Sequence, residues 1–239
     1  MTFRPGLKFA FTLSALAFVT ACGSGMLDAT RPPLVTVSGG GGGGGVSAAY
    51  TGVIADSLHR GALAVTVSSA SSVTGLLTFV GGPTIPVTGI ADSATSSITV
   101  NGSGYTLSGT THSGTVQGTY TGPSGDGFFA AASDTLTHMT HTSYCGTYTS
   151  NNGNGWFSVV ALSDGESAGF AVQTLGSAAS HTFIGTTDFT VLTFAATTDQ
   201  AVQATGTVSS DFQTIIGSYA PTIGTTAGTG SFSVTTGGC

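Results

Sequence analysis

Basic residues are nearly missing from this chain: Arg4, Lys8, Arg31 and Arg60 are all there are in 239 positions. Nucleic-acid-binding surfaces set clusters of Lys and Arg against phosphate and release its counterions, so no nucleic-acid partner is expected. Electrostatic docking on anionic lipid headgroups is disfavoured for the same reason. Helical periodicity is missing as well. Beyond the first 21 residues no stretch keeps apolar residues at helical spacing for three turns, which leaves an all-β body. The scarcity of charge, 6% of residues, does not mean disorder. Disordered chains lack apolar and β-branched residues, whereas here they recur in alternation throughout.

What is present begins with a compact secretory signal. Arg4 and Lys8 form a basic start, and Phe9 to Ala21 is an apolar run. The run is shorter than the about 20 residues that span a bilayer. It ends in Val19-Thr20-Ala21-Cys22. These four residues resemble the lipobox of bacterial lipoproteins: an aliphatic residue, two small ones, then cysteine. The resemblance implies cleavage after Ala21, a thioether-linked diacylglycerol on Cys22 and acylation of the new amino terminus. Losing Arg4 and Lys8 takes the formal charge from −6 to −8. Gly23 follows the cysteine, where enteric lipoproteins retained in the inner membrane carry Asp, so the analogy points to the outer membrane.

Residues 22–49 read as a tether. Pro32-Pro33 forbids helix, and Gly39 to Gly45 is an unbroken glycine tract. A chain of this composition is a random coil spanning on the order of 30 Å. The tract and a β-barrel body resemble surface-displayed lipoproteins of the transferrin-binding protein B and factor H-binding protein type. Those proteins are rich in charge and this one is not, so no binding residue or partner carries over. A tether facing the periplasm would look the same.

From Tyr50 onward, short alternating segments recur every 8 to 12 residues or so, the spacing of sandwiches and barrels. Leu63, Val65 and Val67 share one face; Leu76 to Val80, Ile98 to Val100, Phe157 to Leu162 and Thr190 to Ala195 behave similarly. Asn101-Gly102, Asn152-Gly153, Asn154-Gly155 and Asp164-Gly165 are candidate hairpin turns. Two halves then align. Tyr50-Thr51-Gly52 answers Tyr144-Cys145-Gly146; Val116-Gln117-Gly118-Thr119-Tyr120 answers Ile215-Ile216-Gly217-Ser218-Tyr219; Gly127-Phe128-Phe129-Ala130 answers Gly230-Ser231-Phe232-Ser233. This is a duplicated antiparallel meander of about seven strands per half. Two small barrels or sandwiches (residues 50–135 and 144–239, joined by 136–143) are preferred to one large barrel, because each half ends on its own Phe-bearing strand. A transmembrane barrel is rejected: its strands would be longer, with aromatic girdles at both rims.

With Cys22 given to lipid, Cys145 and Cys239 have one intramolecular pairing in an oxidising compartment; two free thiols are the alternative. A disulfide would tie together the first and last strands of the second half and leave the first half the softer. His138 and His141 are the one closely spaced histidine pair. A metal site needs three or four ligands and no carboxylate adjoins them, so a solvated linker is the plainer reading. His59, His112 and His181 are isolated. No Gly-x-Ser-x-Gly elbow occurs. Asp164 and Glu166 flank a turn glycine, and the other aspartates sit in turn contexts without calcium-loop spacing. No catalytic set, cofactor motif or phosphate cradle emerges.

These features favour a membrane-anchored envelope lipoprotein that binds a protein or glycan without catalysis. A periplasm-facing carrier, with a small hydrophobic ligand inside a barrel, is the second reading, and an envelope enzyme the third.

Overall fold

The computed structural model describes residues 46–133, 140–176, 180–221 and 228–239. Cys22, the glycine tract and His138 lie outside the described residues. Sixteen strands occur among the described residues, eight in each half and one more per half than the sequence suggests. The first half contains β1 (Val46–Asp56), β2 (Arg60–Ser68), β3 (Ser72–Phe79), β4 (Thr84–Asp92), β5 (Ser97–Gly102), β6 (Tyr105–His112), β7 (Thr115–Gly122) and β8 (Gly125–Ser133). The second contains β9 (His141–Ser150), β10 (Gly153–Leu162), β11 (Glu166–Gly176), β12 (His181–Asp188), β13 (Thr193–Thr198), β14 (Val202–Val208), β15 (Thr214–Pro221) and β16 (Gly230–Thr235). Within each half every strand pairs antiparallel with its sequence neighbours, and β1 pairs β8 as β9 pairs β16. The halves are therefore two closed up-and-down barrels rather than one large one.

Strand boundaries show which local signals carry weight. β1 starts at Val46 and β9 at His141, inside the segments read as tether and linker. Two of the expected turns hold: Gly153 and Gly165 take positive φ. Asn101-Gly102 instead ends β5, and the turn falls on Ser103-Gly104, whose φ values of 49° and 84° suit a tight hairpin. Asn154-Gly155 lies within β10 at a register shift. Thr190 to Leu192 belong to the turn before β13, with Leu192 in the left-handed region.

Alternation sorts the side chains into an apolar interior and a hydroxylated exterior. Eight strands enclose a bore just wide enough for side chains to fill. The first barrel is filled by Tyr50, Ile54, Leu63, Leu77, Val87, Phe129 and their neighbours. The second is filled by a stack of rings. Phe157 lies 4.3 Å from Phe232 and 5.0 Å from Phe183, both nearly parallel, and Phe194 meets Phe232 edge-on.

Room for these rings comes from paired glycines. Gly109 opposes Gly118 with Phe129 across the next ladder, and a Cβ on Gly109 would stand 2.6 Å from the Phe129 ring. In the second barrel Gly206 opposes Gly217, and a Cβ on Gly217 would stand 2.5 Å from Phe232. The duplication seen in the sequence is thus a duplicated packing device, an aromatic ring laid over a glycine pair.

Outside, the register builds rows of hydroxyls. Thr66, Thr74, Thr88, Asn101, Thr106 and Thr121 stand opposite one another in sequence across β2 to β7. An apolar inside and hydroxyl outside is the reverse of a transmembrane barrel, whose lipid-facing band is apolar.

The barrels meet along a packed seam. Val53, Ala55, Ala130 and Ala132 point outward from β1 and β8 onto Val160, Leu162, Ala168, Phe170 and Val172 of β10 and β11. Strands covered on both faces lose alternation, which is why Phe128 to Ala132 and Val159 to Leu162 read as unbroken apolar runs.

Candidate interaction face

The charged and polar side chains first cap turns. Asp56, buried at the end of β1, accepts from the Leu58 and His59 amides at 2.7 and 2.6 Å and from the Tyr120 hydroxyl at 2.9 Å. His59 Nδ1 lies 3.3 Å from its Oδ2. At the matching place in the second barrel Ser150 caps the β9–β10 turn and shares a hydrogen bond with Tyr219. Each barrel therefore pins a tyrosine of its seventh strand to the cap of its first hairpin. Replacing Asp56 by alanine strips three donors of their acceptor, so urea denaturation should show a loss of roughly 1.5–3 kcal/mol. Asp56→Ser, which copies the second barrel, should recover part of it.

Asp92, Asp188 and Asp211 cap turns by accepting backbone amides at Ala94, Thr190 and Gln213. The Ala94 amide holds Asp92, and the Ser209 hydroxyl holds Asp211, below the usual carboxylate range. Asp164 accepts from the Glu166 amide at a hairpin tip, as its turn glycine suggested.

Burial shifts the tyrosines the other way. Tyr144 and Tyr148 are pushed up to about 12, and Tyr50, Tyr120 and Tyr219 are also raised, in each case chiefly by burial. The bond to the Asp56 carboxylate adds to the shift at Tyr120. These hydroxyls stay neutral in the fold where an unfolded chain, with tyrosine pKa near 10, is already ionising. The resulting stabilisation is complete below about pH 10 and disappears as pH climbs through the raised values. Tyrosinate absorbance should therefore rise late and together with loss of β-sheet ellipticity near pH 12; a smooth rise centred near pH 10 in folded protein would contradict this.

The histidines do not converge. His141 lies in β9 with Nε2 3.0 Å from Thr51 Oγ1, so it belongs to the seam and not to a linker. His181, at the start of β12, has its Nδ1 3.0 Å from Asp199. Among the described residues no three His, Cys, Asp or Glu side chains gather into a metal-binding group. Cys145 and Cys239 form a disulfide, with Cα atoms 5.0 Å apart. Cys145 points outward into the seam, a placement the sequence reading did not anticipate.

A candidate surface is the end of the double barrel away from Val46. The Thr51–His141 contact and the Arg60–Trp156 contact run along the seam in the same order, so β1 and β9 point the same way. The chain enters the first barrel at Val46, at the opposite end from the 57–59, 80–83 and 123–124 loops. Those loops and the β9–β10 hairpin share the far end. Leu58, Val80 and Leu175 stand exposed there at 74%, 64% and 67%. Beside Leu175 lies an open groove of about 420 Å³ lined by Thr149, Ser150, Asn151, Asn152 and Asn154. Its lining is neutral amide and hydroxyl, suited to hydrogen bonding with uncharged polar groups.

Fold and surface together define a tandem eight-stranded β-barrel protein. No family model matches the chain, and no curated protein matches it. Among solved structures, a tryptophan-to-alanine mutant of the vaccine antigen transferrin-binding protein B from Haemophilus parasuis is similar. The identity is 9%, with 80% of this chain and 76% of that one covered, at a TM-score of 0.29.

Proposed function

We propose that this chain is a lipid-anchored lipoprotein of the bacterial envelope, held by Cys22 in the outer membrane and displayed on the cell surface, whose double barrel is a non-enzymatic binding module. The carrying observation is that the loops bearing Leu58 and Val80, and the groove beside Leu175, lie at the end opposite the one where the chain leading back to Cys22 enters. An anchor at that side turns the far loops away from the membrane, toward a protein or glycan partner. The scattered histidines and turn-capping acids support a binding role over catalysis. The carrier reading has less support, since stacked rings occupy the bore of the second barrel.

The anchor is tested by fractionating cells that express the wild-type chain and Cys22→Ser. The wild type should sediment with membranes and yield an amino-terminal peptide bearing diacylglycerol and an acyl chain; the variant should not. An unmodified wild-type protein in the soluble fraction would refute the proposal.

A further inference from the structure

The disulfide was expected to staple the second barrel to itself. Its surroundings give it a second role. Cys145 projects from β9 into the seam, and Cys239 lies past β16 and is exposed. Between Thr235 and Cys239 the backbone folds close over β9: a Cβ on Gly238 would stand 2.1 Å from the Cys145 carbonyl oxygen. The Gly238 carbonyl accepts a hydrogen bond of 3.0 Å from Arg60 Nη1, which belongs to the first barrel. The same guanidinium lies 5.0 Å above the ring of Trp156, the chain's single tryptophan. Arg60 is the one Arg or Lys among the described residues, and here it faces a carbonyl and an aromatic ring instead of a carboxylate. Trp156 Nε1 is buried with no acceptor. The space enclosed among Val53, Ala55, Arg60, Cys145, Trp156 and Cys239 is only about 10 Å³, so the seam is closed at this end.

We infer that the Cys145–Cys239 disulfide is a redox-sensitive latch on the seam between the barrels. The bond holds residues 237–239 against β9, past Thr236, whose amide is held by the Gln213 carbonyl. That segment holds Arg60, and Arg60 covers Trp156. We place the attack on Cys239, the more exposed residue of the pair, and a dithiol of the thioredoxin or dithiothreitol class supplies the chemistry. Its thiolate displaces the Cys145 thiolate and forms a mixed disulfide with Cys239. Its second thiol then closes a ring on the first and releases Cys239. Two electrons and two protons pass from the dithiol, which ends as a cyclic disulfide, to Cys145 and Cys239, which end as thiols. Reduction frees residues 237–239 and removes the acceptor that positions Arg60. This end of the seam then opens, while both barrels stay closed by their own ladders.

Trp156 makes the latch observable. Folded protein is treated with dithiothreitol while tryptophan emission, acrylamide quenching and far-ultraviolet circular dichroism are followed. A red shift and increased quenching with unchanged β-sheet signal are expected. Cys239→Ser should show both optical changes without reductant. Arg60→Gln, with the disulfide intact, should show the increased quenching and respond less to reduction. Unchanged Trp156 emission and quenching on complete reduction, verified by two thiols titrating with Ellman's reagent, would overturn the inference. So would simultaneous loss of the β-sheet signal, because the disulfide would then hold the barrel itself and not the seam.

Discussion

Phe232→Ala is expected to lower the stability of the second barrel by roughly 3–5 kcal/mol, among the largest effects of any single truncation here. Phe232 is almost wholly buried and stacks on Phe157, meets Phe194 edge-on and covers the glycine pair of β14 and β15. Removing the ring deletes the stack and the edge-on contact and uncovers two adjacent glycines. A closed barrel relaxes poorly around such a gap, because every strand is tied to two neighbours. Phe129→Ala should act similarly in the first barrel, which has no disulfide. Guanidinium denaturation followed by tyrosine and tryptophan emission measures both. A loss under about 1 kcal/mol would mean that the rings are not what fills the bores.

Val160→Asp should cost on the order of 4 kcal/mol, since it places an unpaired carboxylate in the apolar seam. Val160 is fully buried and points away from its own barrel toward the first one. The carboxylate can be rehydrated by opening the seam without breaking either barrel, so one thermal transition should separate into two. Burial raises the pKa of such a carboxyl group, so the penalty should shrink as pH falls toward and below that raised value. Thr74→Asp, on the exposed hydroxyl row, is the control and should change stability by no more than about 0.5 kcal/mol. If both substitutions proved equally mild, the seam would not be an apolar interface in solution.

Much of this architecture is legible in the sequence because duplication amplifies weak signals. Tyr50 and Tyr144, and Phe129 and Phe232, do hold matching places on first and last strands. The choice between one barrel and two was less legible, since it depends on whether β1 finds β8 or a strand of the other half. In the second half β14, Val-Gln-Ala-Thr-Gly-Thr-Val, is the strand hardest to read, because it carries few large apolar residues. Asn-Gly pairs are the stronger turn signal in sequence, yet Ser103-Gly104 and Ser113-Gly114 adopt the same positive φ and make turns here.

The candidate site was hardest to read. Asp56 and Tyr120 are 64 residues apart, and Arg60 and Gly238 are 178 apart, so each pair exists only after a barrel closes or two barrels dock. One signal for the seam was present: alternation fails at Phe128 to Ala132 and Val159 to Leu162. An apolar residue at every position of a strand means that both its faces are covered.

The central claim, an anchored module whose far loops meet partners outside the cell, is tested most directly by protease shaving. Intact cells expressing the chain with a C-terminal epitope are treated with proteinase K, and the epitope is read before and after lysis. Loss of the epitope from intact cells is the predicted result. Full protection until lysis would contradict surface display and place the double barrel in the periplasm.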